Sequence, residues 1–328
     1  MMFDFDTLRY VPLRAAKKGR TTLAAIEMIA DYACQTGENP LWHPEEQRLY
    51  WTDIPTGRLF CFDPKTSAST QIYTGRPVGG FTFHAEGGLL LFMDQGTIAW
   101  WRNGELTECL EAIPAERSSR FNDVIADPVG RVFCGTMSTP DSAGRLYRLD
   151  TNGELRVLLE GIGCSNGMAF TRDARTFFYT DSFAGTIYRF DYDIADGSIG
   201  NPSVFASFPA STGLPDGITV DAEDRVWCAF WDGDAIARLD AQGKIADWIA
   251  MPARKITSLT FGGADLDTLY ITSAGGDQKT SEGAHAGAVF RMSAPVTGRA
   301  ENMARLRTTG ITCMQSPATY HSLKDVTP

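Results

Sequence analysis

Glu38, Gly79, Asn122, Asn166, Asp216 and Thr257 hold matching positions in six similar segments, spaced 41, 43, 44, 50 and 41 residues apart. Two are carboxylates and two are carboxamides. Side chains at one position of a structural repeat converge where the repeats surround an axis. Converging carboxylates repel unless positive charge stands between them, and a divalent cation supplies it. Such oxygen donors suit hard ions, namely Ca²⁺, Mg²⁺ or Mn²⁺, with Zn²⁺ and Fe²⁺ also compatible. A competing reading is purely local, because Asn166-Gly167 and Asp216-Gly217 are also tight-turn dipeptides. Turn chemistry does not require both to share a register with Glu38, and that coincidence favours the cation.

The segments that must position these residues share one plan. ENPLWHPEEQRLYWTD, GGFTFHAEGGLLLFMD, NDVIADPVGRVFCGTM, NGMAFTRDARTFFYTD, DGITVDAEDRVWCAFW and TSLTFGGADLDTLYIT each open with a short apolar strand, pass a polar turn and continue in a second strand. A third strand follows in most, as in GRLFCFD and GTIYRFDYD. Three or four short strands repeating about every 40–45 residues are the pattern of a β-propeller blade. The fold class expected is therefore all-β, a six-bladed β-propeller. AAIEMIADYA, residues 24–33, reads as a strand that pairs with the last blade and closes the ring, removing an exposed edge. Residues 1–23 form an N-terminal extension and 24–328 the propeller domain. Two long connections, 138–144 and 273–287, follow second strands, where loops on a rigid scaffold frame ligand sites.

Composition limits the partners. Lys and Arg total 30 against 40 Asp and Glu, a net charge of −10, which argues against binding a nucleic-acid backbone. No apolar run reaches the length of a membrane span. The first twenty or so residues lack the apolar core of a signal peptide, so a cytoplasmic location is expected. The seven cysteines are odd in number and scattered without a C-x-x-C pair, which predicts reduced thiols. The four histidines are not spaced as a metal pair. A ring closed on itself makes a monomer plausible.

GENPLW (37–42), RFNDVIADPVGRVFCGTM (120–137), SNGMAF (165–170) and PDGITVD (215–221) resemble the senescence-marker-protein/gluconolactonase/luciferin-regenerating family, which includes regucalcin. The resemblance implies a six-bladed propeller and divalent-metal-dependent hydrolysis of a sugar-acid lactone. It implies Glu38, Asn166 and Asp216 as ligands of one divalent ion (Ca, Zn, Mn, Mg or Fe). It also implies Arg120 and Asn122 as residues that grip the lactone. Residues i and i+2 of a strand face one side, so the last two can share a pocket. Asp216 is then the candidate catalytic base, a carboxylate beside ion-bound water. Asp123 is read as a local contact outside the site. The chain departs from the family in one respect. Some members carry a glutamate soon after the GTM motif, and here Ser138, Thr139, Pro140 and Asp141 follow it. The alternatives are a calcium-dependent phosphotriesterase-like hydrolase and a non-catalytic calcium-binding propeller.

Overall fold

The computed structural model describes residues 25–307, 310–313, 321–323 and 326; the extension 1–23 lies outside them. Strand β1, Glu27–Asp31, is followed by blade 1: β2 (Gly37–His43), β3 (Arg48–Asp53), β4 (Arg58–Asp63) and β5 (Ala68–Thr74). Blade 2 is β6 (Val78–Phe83), β7 (Leu89–Met93), β8 (Ile98–Arg102) and β9 (Glu105–Leu110). Blade 3 is β10 (Phe121–Ala126), β11 (Val132–Thr136), β12 (Gly144–Leu149) and β13 (Glu154–Ile162). Blade 4 is β14 (Ser165–Phe170), β15 (Thr176–Asp181), β16 (Thr186–Asp193) and β17 (Ser198–Ser207). Blade 5 is β18 (Leu214–Val220), β19 (Val226–Trp231), β20 (Ala235–Leu239) and β21 (Ile245–Ala250). Blade 6 is β22 (Ile256–Gly262), β23 (Thr268–Ser273) and β24 (Ala288–Ser293), and β1 completes it by antiparallel pairing with β24. The N-terminal strand thus closes the ring as expected.

The burial gradient follows the sequence. Inner strands such as SNGMAF are buried throughout because both faces meet protein, whereas outer strands such as β5 and β21 are largely exposed. Aromatic residues fill the wedges between blades. Phe133 of blade 3 packs edge-on against Phe170 of blade 4 at 5.4 Å between ring centres, and Tyr192 lies 4.7 Å from Phe170. Such geometry adds to simple area burial. All seven cysteines are free thiols.

Two features set the site. First, every inner strand carries a register shift near its start, at Glu38/Leu41, Val78/Gly80, Phe121/Val124, Asn166/Met168, Pro215/Ile218 and Ile256/Ser258. A β-bulge at these points re-aims side chains toward the axis. Second, residues 294–307 cross the far mouth of the channel, where the inner strands end. Ala222 N–H donates to Thr297 O at 2.8 Å, Asn302 Nδ2 to Ala126 O at 3.2 Å, and Ala304 N–H to Phe83 O at 2.8 Å. The Glu86 N–H donates to His84 Nδ1 at 3.2 Å, and His84 Nε2 lies 3.0 Å from Leu306 O. Beyond this strap, β25 (Thr312–Cys313) and β26 (His321–Ser322) run parallel to β13 at the outer edge of blade 3. The strap and these two strands have no counterpart in the sequence pattern, because irregular backbone lying across a face leaves no periodicity.

Candidate active site

At the near mouth, where the inner strands begin, Glu38, Asn122, Asn166 and Asp216 are all more than nine-tenths buried, at 6, 7, 4 and 5 % exposure. The Asn166 amide donates to the Asp216 carboxylate and, at 3.1 Å, to Ser182 Oγ. Glu38 Oε2 accepts from the Asn39 N–H at 2.7 Å. Blades 1, 4 and 5 therefore each contribute one donor.

The glycines after Asn166 and Asp216 explain why these side chains stand where they do. Neither Gly167 nor Gly217 has a positive φ, so neither forms the tight turn its dipeptide suggests. Both lie within inner strands at the closest approach of neighbouring blades. A Cβ on Gly167 would fall 2.3 Å from Ile218 N, and one on Gly217 would fall 2.1 Å from Ser258 Oγ. The hairpin after the second strand then clasps the incoming inner strand. Asp181 accepts from the N–H groups of Gly163 and Cys164, both at 3.0 Å, and so fixes the backbone two residues before Asn166. Asp53 does the same for Thr36 N–H at 2.9 Å. Both hairpins read D-x-x-x-G, Asp53 to Gly57 and Asp181 to Gly185, and the aspartate does more than shape a turn.

Arg120, just before β10, donates through Nη1 to Asn122 Oδ1 at 2.7 Å and to Phe121 O at 2.9 Å. The two side chains therefore lie on the same side of the backbone. Asn122 is itself held, since its Nδ2 donates to Ser165 O at 2.8 Å. Much of its hydrogen-bonding capacity therefore goes into orienting Arg120.

The charge balance is negative. Burial, then the charge of Asp123, pushes the Glu38 carboxyl up to about 8. Burial, then Glu38 and Asp123, holds Asp216 well above the usual carboxylate range. Burial likewise raises Asp123 to about 7. Arg120 is the opposing cation; burial lowers it, while Cys164, Glu38 and Asp216 act to raise it. Asp123 makes the local contact expected of it, its Oδ1 accepting from the Val124 N–H at 2.7 Å, and its charge also raises Glu38 and Asp216. Strict alternation turns it away from Asn122, but the bulge between Phe121 and Val124 leaves both without a ladder partner. Asp123 lines the narrow channel below Glu38, Asn166 and Asp216, a cavity of about 40 Å³ closed at its base by Glu301 and Asn302.

This constellation sits in a stretch that matches a known family. The SMP-30/Gluconolactonase/LRE-like region model aligns with residues 36–275, most of the chain. The chain belongs to this family. It is 43% identical over 283 residues to the pentonolactonase of Haloferax volcanii, covering 84% of this chain and 97% of that protein. It is 35% identical over 272 residues to the 6-deoxy-6-sulfogluconolactonase of Pseudomonas putida, covering 81% of this chain and 93% of that protein. Among solved structures, the calcium-binding regucalcin of Agrobacterium tumefaciens superposes with a TM-score of 0.80 at 25% identity, over 86% of this chain and 98% of its own. Membership agrees with the six blades and with the order of the four motifs along the chain.

The residues present fit a divalent cation. Glu38 and Asp216 are buried carboxylates whose mutual repulsion an ion would relieve. Turning the Asn166 amide about its last bond would present Oδ1 where Nδ2 now meets Asp216. Glu38, Asn166 and Asp216 make an all-oxygen set, suited to a hard ion. Among the described residues no group of three or more His, Cys, Asp or Glu side chains forms a metal cluster, so the fit depends on the Asn166 carboxamide as third donor.

Proposed function

We propose that the chain is a divalent-metal-dependent lactonase that opens an uncharged sugar-acid lactone to the aldonic acid. Candidate substrates are glucono-, xylono-, galactono- and arabinonolactone. The observation that carries this reading is the meeting of Glu38, Asn166 and Asp216 at the mouth that also holds the Arg120–Asn122 pair. The lactonases among its relatives support the substrate class.

When bound, the cation polarises the lactone carbonyl and lowers the pKa of a coordinated water. Asp216 accepts the proton of the attacking water. Water oxygen bonds to the carbonyl carbon, the ring C–O bond breaks, and the proton passes to the leaving ring oxygen, which becomes a hydroxyl. Arg120 keeps Nε and Nη2 uncommitted to its own backbone, and these hold lactone oxygens in a fixed orientation. Asn122 braces that guanidinium. Glu38 and Asn166 complete the cradle.

The test is a pH-indicator assay on a panel of aldonolactones with metal-stripped protein and separately restored ions. Activity should vanish on stripping and return with a divalent ion. Asp216→Asn should lose at least about a hundredfold in kcat. Turnover that survives both stripping and Asp216→Asn would overturn the proposal. Metal binding without hydrolysis of any lactone would instead establish a binding protein, and faster turnover of an organophosphate would establish the phosphotriesterase alternative.

A further inference from the structure

Phe183 is a large apolar side chain left half exposed, at 52 %, on the β15–β16 hairpin of blade 4. The matching position of blade 1's D-x-x-x-G hairpin is Pro55. The Phe183 ring is not loose. A Cβ on Gly163 would fall 2.7 Å from Phe183 Cβ and 3.2 Å from Cδ2, so the aromatic side chain rests on the bare backbone of Gly163. Gly163 is pinned in turn. Its N–H donates to Asp181 at 3.0 Å, and its carbonyl accepts from the Ser138 N–H at 2.9 Å. The next residue, Cys164, has its sulfur 3.8 Å from Asn122 Nδ2. On the other side of Phe183, the hydroxyl of Ser182 accepts from Asn166. The ring is therefore tethered, through both of its neighbours, to the rim that carries Asn122 and Asn166.

A sugar lactone has a polar edge of carbonyl and hydroxyl oxygens and a face of C–H bonds. Glu38, Arg120, Asn166 and Asp216 address the edge. An aromatic ring held at the rim addresses the C–H face, where apolar contact and dispersion favour it. Neither this hairpin nor the adjoining 138–144 loop carries a lysine or arginine, so this part of the rim has no partner for a phosphate or sulfonate. We infer that Phe183 is a specificity-determining residue that packs on the C–H face of an uncharged aldonolactone and disfavours lactones with an anionic exocyclic group. The inference rests on the lactonase reading and deepens it.

The experiment measures kcat and KM of the metal-loaded parent, Phe183→Ala, Phe183→Tyr and Phe183→Lys on a pentonolactone, gluconolactone and phosphorylated gluconolactone. Phe183→Ala should raise KM for the two uncharged lactones about tenfold, with kcat within about twofold and Tm unchanged. Phe183→Tyr should keep the parent KM, and Phe183→Lys should shift the ratio of kcat/KM toward the phosphorylated lactone. An active parent with an unchanged KM in Phe183→Ala overturns the inference alone. So does a loss confined to kcat, or one that follows a fall in Tm and is not rescued by Phe183→Tyr. A parent that opens none of the three lactones overturns the lactonase reading, and this inference with it.

Discussion

Replacing Gly167 by alanine tests how Asn166 and Asp216 are positioned. The added methyl would lie 2.3 Å from Ile218 N, 2.7 Å from Asp216 O and 2.8 Å from Gly217 C. All three are backbone atoms of blade 5, so no side chain can swing aside. Reaching ordinary contact near 3.4 Å requires the inner strands of blades 4 and 5 to part by about 1 Å in an interior that resists compression. Overpacking of this kind costs about 1–3 kcal/mol. The same displacement separates Asn166 from Asp216, and a misplacement of about 1 Å can cost about a hundredfold in rate. Gly200 supplies the control: it lies in outer strand β17 with no positive φ, and a Cβ there would meet nothing within 4 Å. Chemical denaturation and lactone kinetics should show Gly167→Ala less stable and about a hundredfold slower, with Gly200→Ala near the parent in both. A Gly167→Ala protein with parental midpoint and kcat/KM would refute the claim that close blade approach, rather than turn geometry, places Asn166 and Asp216.

Two more outcomes follow from the same geometry. Arg120→Lys exchanges a planar fork for a single ammonium that cannot brace Asn122 and hold lactone oxygens together. It should raise KM about tenfold or more while leaving metal affinity unchanged, as read by steady-state kinetics and calorimetric metal titration. Glu301, set in the strap at the channel base, has its carboxyl raised by burial, with Arg299 acting to lower it. A raised folded-state pKa means that the ionised form is disfavoured in the native protein. The penalty is absent in acid and full above the folded pKa. Glu301→Gln should therefore raise Tm by about 2 °C at alkaline pH, with the gain fading as pH falls; a Tm difference independent of pH would contradict this.

The repeat made the blades legible, because each strand pairs mainly within its own unit and must bury alternating or continuous apolar residues. β1 was legible for the same reason: an apolar strand ahead of the first unit has an open edge to fill. The register of Glu38, Asn166 and Asp216 pointed to convergence; the Asn166 amide meets the Asp216 carboxylate, and the charge of Glu38 acts on Asp216. The charge that Asp123 exerts on Glu38 and Asp216 was not legible, because a bulge breaks the two-residue alternation on which facing arguments depend. The strap escaped notice for another reason. Its hydrogen bonds go to the ends of inner strands in several blades, and no local pattern encodes contacts to Phe83, Ala126 and Ala222 at once.

The six equivalent positions are chemically unequal, and that inequality makes a site out of a ring. Bulges recur on all six inner strands, so the backbone aims six residues at the axis regardless of their type. Blade 2 presents Gly79, where a Cβ would fall 1.8 Å from Phe121 O. Its contribution is proximity, which lets blade 3 carry Arg120 and Asn122 close to the mouth. Blade 6 presents Thr257, whose hydroxyl donates to Gly37 O at 2.5 Å, one residue before Glu38. That bond joins the last blade to the first at the height of Glu38. Thr257 thus serves closure, and an oxygen at the axis is not in itself a ligand. Position in the repeat fixes where a side chain points. The chemistry then depends on which side chains stand there: Glu38, Asn166 and Asp216 from blades 1, 4 and 5, and the opposite charge of Arg120 from blade 3.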